Sequence, residues 1–190
     1  PNVIMDQSSI SPRISIRGIT SQSNINAGFP PAIGVYVDEV YQGRDPTFNT
    51  ILSDVARVEI LRGPQGTLFG RNTTGGAIML TPQKPTDQFG GYVEATYGNY
   101  NQMRLGGALN LPLSDAIRVR LTVENNQRDG YMENHAAQGP RDYNDINYLY
   151  GRLSVVADLT PDLENYTIAH YSRSKTHGYA SHIDTCSNAT

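Results

Sequence analysis

One stretch decides the fold, and it reads Ile117-Arg118-Val119-Arg120-Leu121-Thr122-Val123-Glu124. Every second residue is a branched apolar side chain, and the residues between are charged or polar. Successive side chains point to opposite faces of a β-strand, so this pattern predicts a strand with one apolar and one polar face.

The same alternation continues on both sides of this stretch. A preceding strand has Met103, Leu105, Gly107, Leu109 and Leu111 on its apolar face, and a following one has Leu149, Gly151, Leu153, Val155, Ala157 and Leu159. Weaker alternation predicts two more strands at 92–97 and 163–171. Strands of about ten residues, tilted near 45°, cover roughly 23 Å, which fits the apolar band of an outer-membrane barrel.

The connections between these strands are unequal in length. Residues 112–115 and 160–162 are short turns, whereas 129–144 is long and polar, as expected for periplasmic turns and outer loops. We interpret four tyrosines near predicted strand ends as an interfacial girdle: Tyr131, Tyr143, Tyr148 and Tyr150. Since membrane barrels have at least about eight strands, these five predict an incomplete barrel. A soluble β-protein remains the alternative, because sandwiches alternate too.

A polar segment with two prolines, residues 81–86, separates two regions of different pattern. Residues 1–85 combine short apolar runs with Gly- and Asn-rich loops, and a short helix is expected from Phe48 to Val55. This region is predicted to be a small α+β domain. Residues 86–190 are predicted to be antiparallel transmembrane β-barrel strands.

Composition narrows the function classes. The chain has 15 basic and 18 acidic residues, so its charge does not favour nucleic acid as a partner. No apolar run is long enough for a transmembrane helix. The chain begins at Pro1 without a signal peptide, and its single cysteine is Cys186; we therefore expect missing sequence at both ends.

The most specific motif extends from Val58 to Ile78. It predicts a strand ending at Arg62-Gly63, a turn or single helical turn, an exit at Gly70, and a Gly75-Gly76 pair that leads into another strand. This segment resembles the signature of the plug domain of TonB-dependent outer-membrane receptors. The runs Ile14–Ile19 and Gly34–Val40 agree with that family in order and spacing, although Glu39 stands where the family more often has glycine.

The resemblance implies an architecture and a set of partners. The plug would fill the lumen of a 22-stranded barrel, and Arg17 and Arg62 would form a plug–barrel lock with barrel glutamates beyond Thr190. It further implies a monomer in the outer membrane of a Gram-negative bacterium, contacting membrane lipid and, through a docking segment before Pro1, the inner-membrane TonB complex.

Ligand capture is expected at the plug apices, with Gln22, Asn24, Asn26, Gln42 and Arg44 as the candidate contacts. Hydrogen-bonding amides and one cation suit a metal chelate or a sugar, and Arg44 favours an anionic ligand. The resemblance implies import of a ferric siderophore, with haem, cobalamin or an oligosaccharide as alternatives. A receptor that signals to a transcription regulator is a further alternative, which the full-length N-terminus would distinguish.

Other chemistry is not supported by the sequence. The glycine-rich run lacks the phosphate-loop lysine. His170, His177 and His182, near Asp184 and Cys186, match no structural zinc spacing, so no metal site is expected. We expect neither an enzyme nor a bound cofactor.

Overall fold

The computed structural model describes residues 3–7, 12–21, 31–43, 52–135 and 138–178. Its N-terminal domain contains two sheets. The first is antiparallel and has the order β1 (Val3–Gln7), β2 (Pro12–Ile16), β3 (Ile19–Ser21). The second has the order β5 (Val40–Tyr41), β4 (Ile33–Val37), β7 (Gly76–Pro82), β6 (Val55–Arg62). Only the β4–β7 pair among these described strands is parallel.

The two sheets share an apolar core. Its buried members are Ile14, Ile16, Ile33, Val35, Ile78 and Leu80. Val35 of β4 lies opposite Ile78 of β7, and Val37 lies opposite Leu80, so both strands present these side chains to the same face. The domain is thus organised as a water-soluble protein is, with apolar side chains inside.

The motif from Val58 to Ile78 folds as its sequence predicts. Strand β6 ends at Arg62, a single helical turn, α1, spans Gly66–Phe69, and Gly70 follows with a φ of 74°. Strand β7 begins at Gly76, whose φ is 146°, and a Cβ there would lie 2.4 Å from the carbonyl oxygen of Leu61. Only glycine fits that position without distortion.

The helix expected from Phe48 to Val55 lies partly outside the described residues. Within the described part, residues 52–54 form a turn and Val55 begins β6. The end of that segment is therefore not helical, and the turn it forms is central to the interface described below.

The C-terminal part is one five-stranded antiparallel sheet, here called the wall. Its strands are β8 (Gly90–Gly98), β9 (Gln102–Pro112), β10 (Ile117–Arg128), β13 (Ile146–Thr160) and β14 (Leu163–Ser174), in the order β14-β13-β10-β9-β8. A small hairpin, β11 (Met132–Glu133) and β12 (Asp142–Tyr143), projects between β10 and β13. Among the described residues, no helix is long and apolar enough to cross a bilayer.

The wall has its polar face inside and its apolar face outside. Leu109, Leu121 and Leu153 lie in one row across the central strands and are 39%, 43% and 43% exposed. On the opposite face, buried polar side chains face the N-terminal domain: Asn110, Thr122, Glu124, Asn126, Arg152 and Ser154. The predicted faces of β9, β10 and β13 are confirmed. The two weaker strands are confirmed as β8 and β14.

The tyrosine girdle predicted from sequence is partly wrong. Tyr148 and Tyr150 are buried on the inner face, because they share the side-chain direction of Arg152. The exposed tyrosines at this end of the wall are Tyr97, Tyr100 and Tyr131. Proximity to a strand end therefore did not indicate which face a tyrosine occupies.

Candidate functional site

The N-terminal domain contacts the wall through the turn of residues 52–54, just before β6. Asp54 has a φ of 54°, and its carboxylate faces strands β10 and β13. Arg120 donates to it twice, from Nε to Oδ2 at 2.7 Å and from Nη2 to Oδ1 at 2.6 Å. This two-pronged geometry is the strongest arrangement of an arginine and a carboxylate.

Two further wall residues complete the surroundings of Asp54. Thr122 Oγ1 donates to Oδ2 at 2.8 Å, and Arg152 Nη2 donates to the same oxygen at 2.9 Å. Arg152 also donates to the backbone carbonyl oxygens of Ser53, at 3.0 Å, and Asp54, at 2.8 Å. Arg152 therefore binds both the backbone carbonyl groups of the turn and the Asp54 carboxylate.

This ion cluster is almost sealed from solvent. The side chains of Asp54, Arg120 and Arg152 are 5%, 11% and 3% exposed. Burial alone would raise the pKa of Asp54, but hydrogen bonds from Arg120 and Thr122 and the charges of both arginines outweigh it, so the pKa lies below its usual range. The carboxyl group is ionised at neutral pH, which the two buried guanidinium groups require.

A second contact lies one residue earlier in the turn. Ser53 Oγ donates to the carboxylate of Glu124 on β10, and Tyr148 of β13 donates to that same carboxylate. Arg104 of β9 approaches Glu124 with Nε at 3.0 Å and Nη2 at 3.1 Å. The turn thus forms hydrogen bonds with β10 and β13, and Glu124 links it indirectly to Arg104 of β9.

The connection between the domain and the wall is also fastened. Asn110 of β9 is 2% exposed, and its amide accepts from Thr86 N at 2.9 Å and donates to Thr86 O at 2.8 Å and Gln88 O at 2.6 Å. Lys84 Nζ lies 3.5 Å from Glu164 Oε1 and 4.7 Å from the centre of the Tyr166 ring. The linker is therefore bound to strands at both sides of the wall.

The two arginines predicted to form the lock lie elsewhere. Arg17 is exposed in the turn between β2 and β3, with a φ of 52°, and Arg62 is exposed at the end of β6. Within the described ranges neither forms an ion pair, and the glutamates expected for them would lie beyond Thr190.

Of the five predicted ligand contacts, four lie outside the described residues: Gln22, Asn24, Asn26 and Arg44. Gln42 is described; its backbone N–H donates to Val35 O at 2.8 Å, and its side-chain amide donates to Val40 O at 3.0 Å. That side chain holds the local turn here.

Sequence reasoning missed Ser53 and Asp54 as interface residues. The wall arginines stood out because they occupy the polar face of strands, but their partner is 66 residues from Arg120 and 98 residues from Arg152. The only local signal was a Ser-Asp pair directly before an apolar strand, and such pairs are common in turns.

Comparisons with known proteins agree with this architecture. Residues 1–77 match the family described as TonB-dependent Receptor Plug Domain. The pesticin receptor of Yersinia enterocolitica is 36% identical over 124 residues, which is 65% of this chain and 18% of that protein. The ferrioxamine B receptor of Salmonella typhimurium is 40% identical over 62 residues, 33% of this chain and 9% of that protein.

A solved structure extends the likeness into the wall. The ferric yersiniabactin uptake receptor from Yersinia pestis superposes with a TM-score of 0.75 at 29% identity, covering 90% of this chain and 27% of the receptor chain. The pyoverdine outer-membrane receptor from Pseudomonas aeruginosa gives 0.67 at 19% identity over 90% of this chain and 23% of that chain, a likeness of fold alone. The chain thus spans about a fifth to a quarter of such receptors.

A sheet with a polar face toward a folded domain and an apolar face away from it is the arrangement of a plugged membrane β-barrel. Residues 1–77 belong to the plug-domain family of TonB-dependent receptors, and the strands that follow resemble the opening strands of such a receptor's barrel. Below, the N-terminal domain is called the plug.

Proposed function

We propose that the receptor containing this chain imports a scarce ligand, a ferric siderophore, across the outer membrane of a Gram-negative bacterium with energy delivered by TonB. The plug would extend over residues 1–85 and the barrel would begin at residue 86. The receptor would act as a monomer whose outer wall contacts lipid.

The observation that carries this proposal is the buried ion cluster between plug and wall. Separating Asp54 from Arg120 and Arg152 without replacement leaves uncompensated charges in a dry site, at a cost of about 3–5 kcal/mol. A cost of that size would leave the cluster open in only about one receptor in 10² to 10⁴ at any moment. An external source of work, which TonB-dependence implies, fits a plug so fastened.

The ligand class is supported by the names of similar proteins. One is a ferric yersiniabactin uptake receptor, a second a ferrioxamine B receptor and a third a ferripyoverdine receptor. These names share ferric chelates as cargo, and iron would be the transported substrate rather than a resident cofactor. Gln22, Asn24, Asn26, Gln42 and Arg44 stay our candidates for contacts with that cargo.

Arg17 and Arg62 keep their proposed role as a second plug–barrel lock. Both are exposed and form no ion pair with any described residue, which suits a partner on later strands of the barrel. The wall described here would hold one side of the plug through Asp54, and later strands would hold the other side through these two arginines.

The test is ligand binding and uptake by the full-length receptor. Outer-membrane vesicles are titrated with radioactive iron bound to each of several siderophores, with cobalamin and an oligosaccharide as controls. We expect saturable binding of a ferric siderophore, and uptake by cells that is lost when TonB is deleted although binding persists. Binding of cobalamin or the oligosaccharide alone would reassign the cargo, and uptake unchanged without TonB would refute the energised mechanism.

A further inference from the structure

Tyr100 has a backbone conformation that tyrosine seldom adopts. It follows Asn99 in the tight turn between β8 and β9, where Tyr100 has a φ of 58° and Asn101 a φ of 53°. Two consecutive residues with positive φ form the hairpin turn that normally selects asparagine, aspartate or glycine. A tyrosine in the first of these positions is strained, and such strain is concentrated at functional sites.

Contacts with the next loop hold this turn in place. Asp129 N donates to Tyr100 O at 2.8 Å, and Asn101 Nδ2 donates to Asp129 Oδ2 at 2.6 Å. The Tyr100 ring lies 6.3 Å from that of Tyr131, at an interplanar angle of 59°. The two rings are thus positioned relative to one another before any ligand arrives.

A cation lies beside this ring pair. The guanidinium carbon of Arg128 is 5.4 Å from the centre of the Tyr131 ring. Its Nη2 donates to the Asn144 carbonyl oxygen, and among the described residues no carboxylate lies within 4 Å of the guanidinium group. The nearby Asp129 carboxylate is hydrogen-bonded to Asn101, so the positive charge of Arg128 is left beside the rings.

The strand pattern places this group on the inner side of the rim. Arg128 continues the series of Thr122, Glu124 and Asn126, whose side chains are buried on the inner face of the wall. Tyr97 belongs to the opposite, outward series and is 79% exposed. The rings of Tyr100 and Tyr131 therefore stand with Arg128, at the mouth of the lumen, and are 56% and 51% exposed.

We propose that Tyr100, Tyr131 and Arg128 form a ligand-contact platform for a ferric chelate that carries aromatic, anionic groups. Flat rings of a ligand stack on exposed tyrosines, and anionic oxygens are attracted by the neighbouring guanidinium. The platform rests on the proposed import function and specifies its substrate class. It would explain why a strained tyrosine occupies a turn position that asparagine fills more easily.

The experiment compares two ferric probes on the full-length receptor in outer-membrane vesicles. One is ferric 2,3-dihydroxybenzoate, whose iron ligands are aromatic catechols, and the other is ferrioxamine B, whose iron ligands are aliphatic hydroxamates. Tyr100→Asn removes a ring while supplying the residue that the turn prefers. Tyr131→Leu removes the second ring, Tyr131→Phe retains it, and Tyr97→Leu is the control on the outward face.

We expect Tyr100→Asn and Tyr131→Leu each to weaken binding of the catechol complex about three- to tenfold. Tyr131→Phe should stay within about twofold of the wild type, because the ring persists. Tyr97→Leu should have no effect, and ferrioxamine B binding should be unchanged by every variant.

Three results would overturn the platform while leaving iron import intact: wild-type receptor that binds ferrioxamine B alone, catechol binding unaffected by loss of either ring, or an equal loss in Tyr97→Leu. The last would identify all these tyrosines as membrane anchors. A wild-type receptor that binds another siderophore of the panel above, but neither probe, would overturn the platform alone. One that binds no ferric siderophore of that panel would reject the import proposal, and the platform with it.

Discussion

The plug and the wall contain the same kinds of residue arranged in opposite ways. In the plug, Ile78 and Leu80 are buried between sheets, whereas Arg17 and Arg62 are exposed. In the wall, Thr122 and Arg152 are buried while Leu121 and Leu153 are exposed. Both arrangements would follow from the hydrophobic effect in the proposed receptor, where water surrounds the plug and lipid covers the outer side of the wall. Burial alone therefore does not identify a core; the solvent on each face must be known.

The plug and the wall contact each other through polar side chains. Asp54 extends from the plug into the inner face of the wall, and Arg120 and Arg152 surround it. Exchange of a buried ion cluster for apolar residues is often neutral or stabilising, whereas removal of one partner is costly. The cluster therefore specifies where the plug sits more than it adds to stability.

The largest effect is expected from Asp54→Ala, which strands two buried arginines. We predict that it weakens plug seating by about 3–5 kcal/mol, measured as faster proteolytic cleavage of the plug in vesicles that contain the full-length receptor. Asp87→Ala is the matched control, because the side chain of Asp87 is 89% exposed. Equal cleavage rates in the two variants would show that the cluster does not hold the plug.

The contrast between the two kinds of interior is tested by the same truncation in each region. Ile78→Ala, in the core of the plug, should destabilise that domain by about 2–5 kcal/mol, read from the denaturant midpoint of its unfolding in the full-length receptor. Leu121→Ala, on the outer face of the wall, should leave that midpoint unchanged. A larger effect at Leu121 would mean that its face is packed against protein.

Adding a charge tests the same contrast in reverse. Leu121→Arg should disfavour insertion by about 2–4 kcal/mol if the residue faces lipid near mid-membrane. Leu68→Arg makes the same change on α1, where the leucine is 80% exposed, and should not affect insertion. Yield of heat-modifiable, folded receptor in the membrane fraction measures both. Normal insertion of Leu121→Arg would place that face in water.

The smallest effect concerns one hydrogen bond within the plug. Tyr36 donates its hydroxyl to Phe69 O at 2.8 Å, and its ring packs against Phe69 with centroids 5.1 Å apart. Tyr36→Phe keeps the ring and should cost about 1 kcal/mol, seen as a small decrease in the denaturant midpoint of the plug. A decrease as large as that of Ile78→Ala would indicate a role beyond this bond.

Sequence alone predicted the regular parts of the molecule well. The alternation of apolar and polar residues identified both faces of β10, because the polarity of each side chain matches the face it occupies. The glycines of the 58–78 motif predicted the positions of the bends around α1. The interface could not be predicted from the sequence, because the partner of Arg152 lies 98 residues earlier in the chain. A Ser-Asp pair in a turn has no periodic pattern that would identify it. The prediction of a tyrosine girdle was wrong for Tyr148 and Tyr150 because it used their position near a strand end. The alternation of side chains along β13 places both on the inner face.

The cluster also constrains how the wall assembles. Thr122 lies directly opposite Arg152, and Leu121 opposite Leu153, in the pairing of β10 with β13. A slip of one residue would turn Arg152 toward lipid and leave a leucine or glycine beside Asp54. In a barrel with this shifted register, Arg152 would both lose its contact with the Asp54 carboxylate and place its guanidinium group in the membrane. The buried aspartate thus favours the aligned pairing of β10 with β13 over a pairing shifted by one residue.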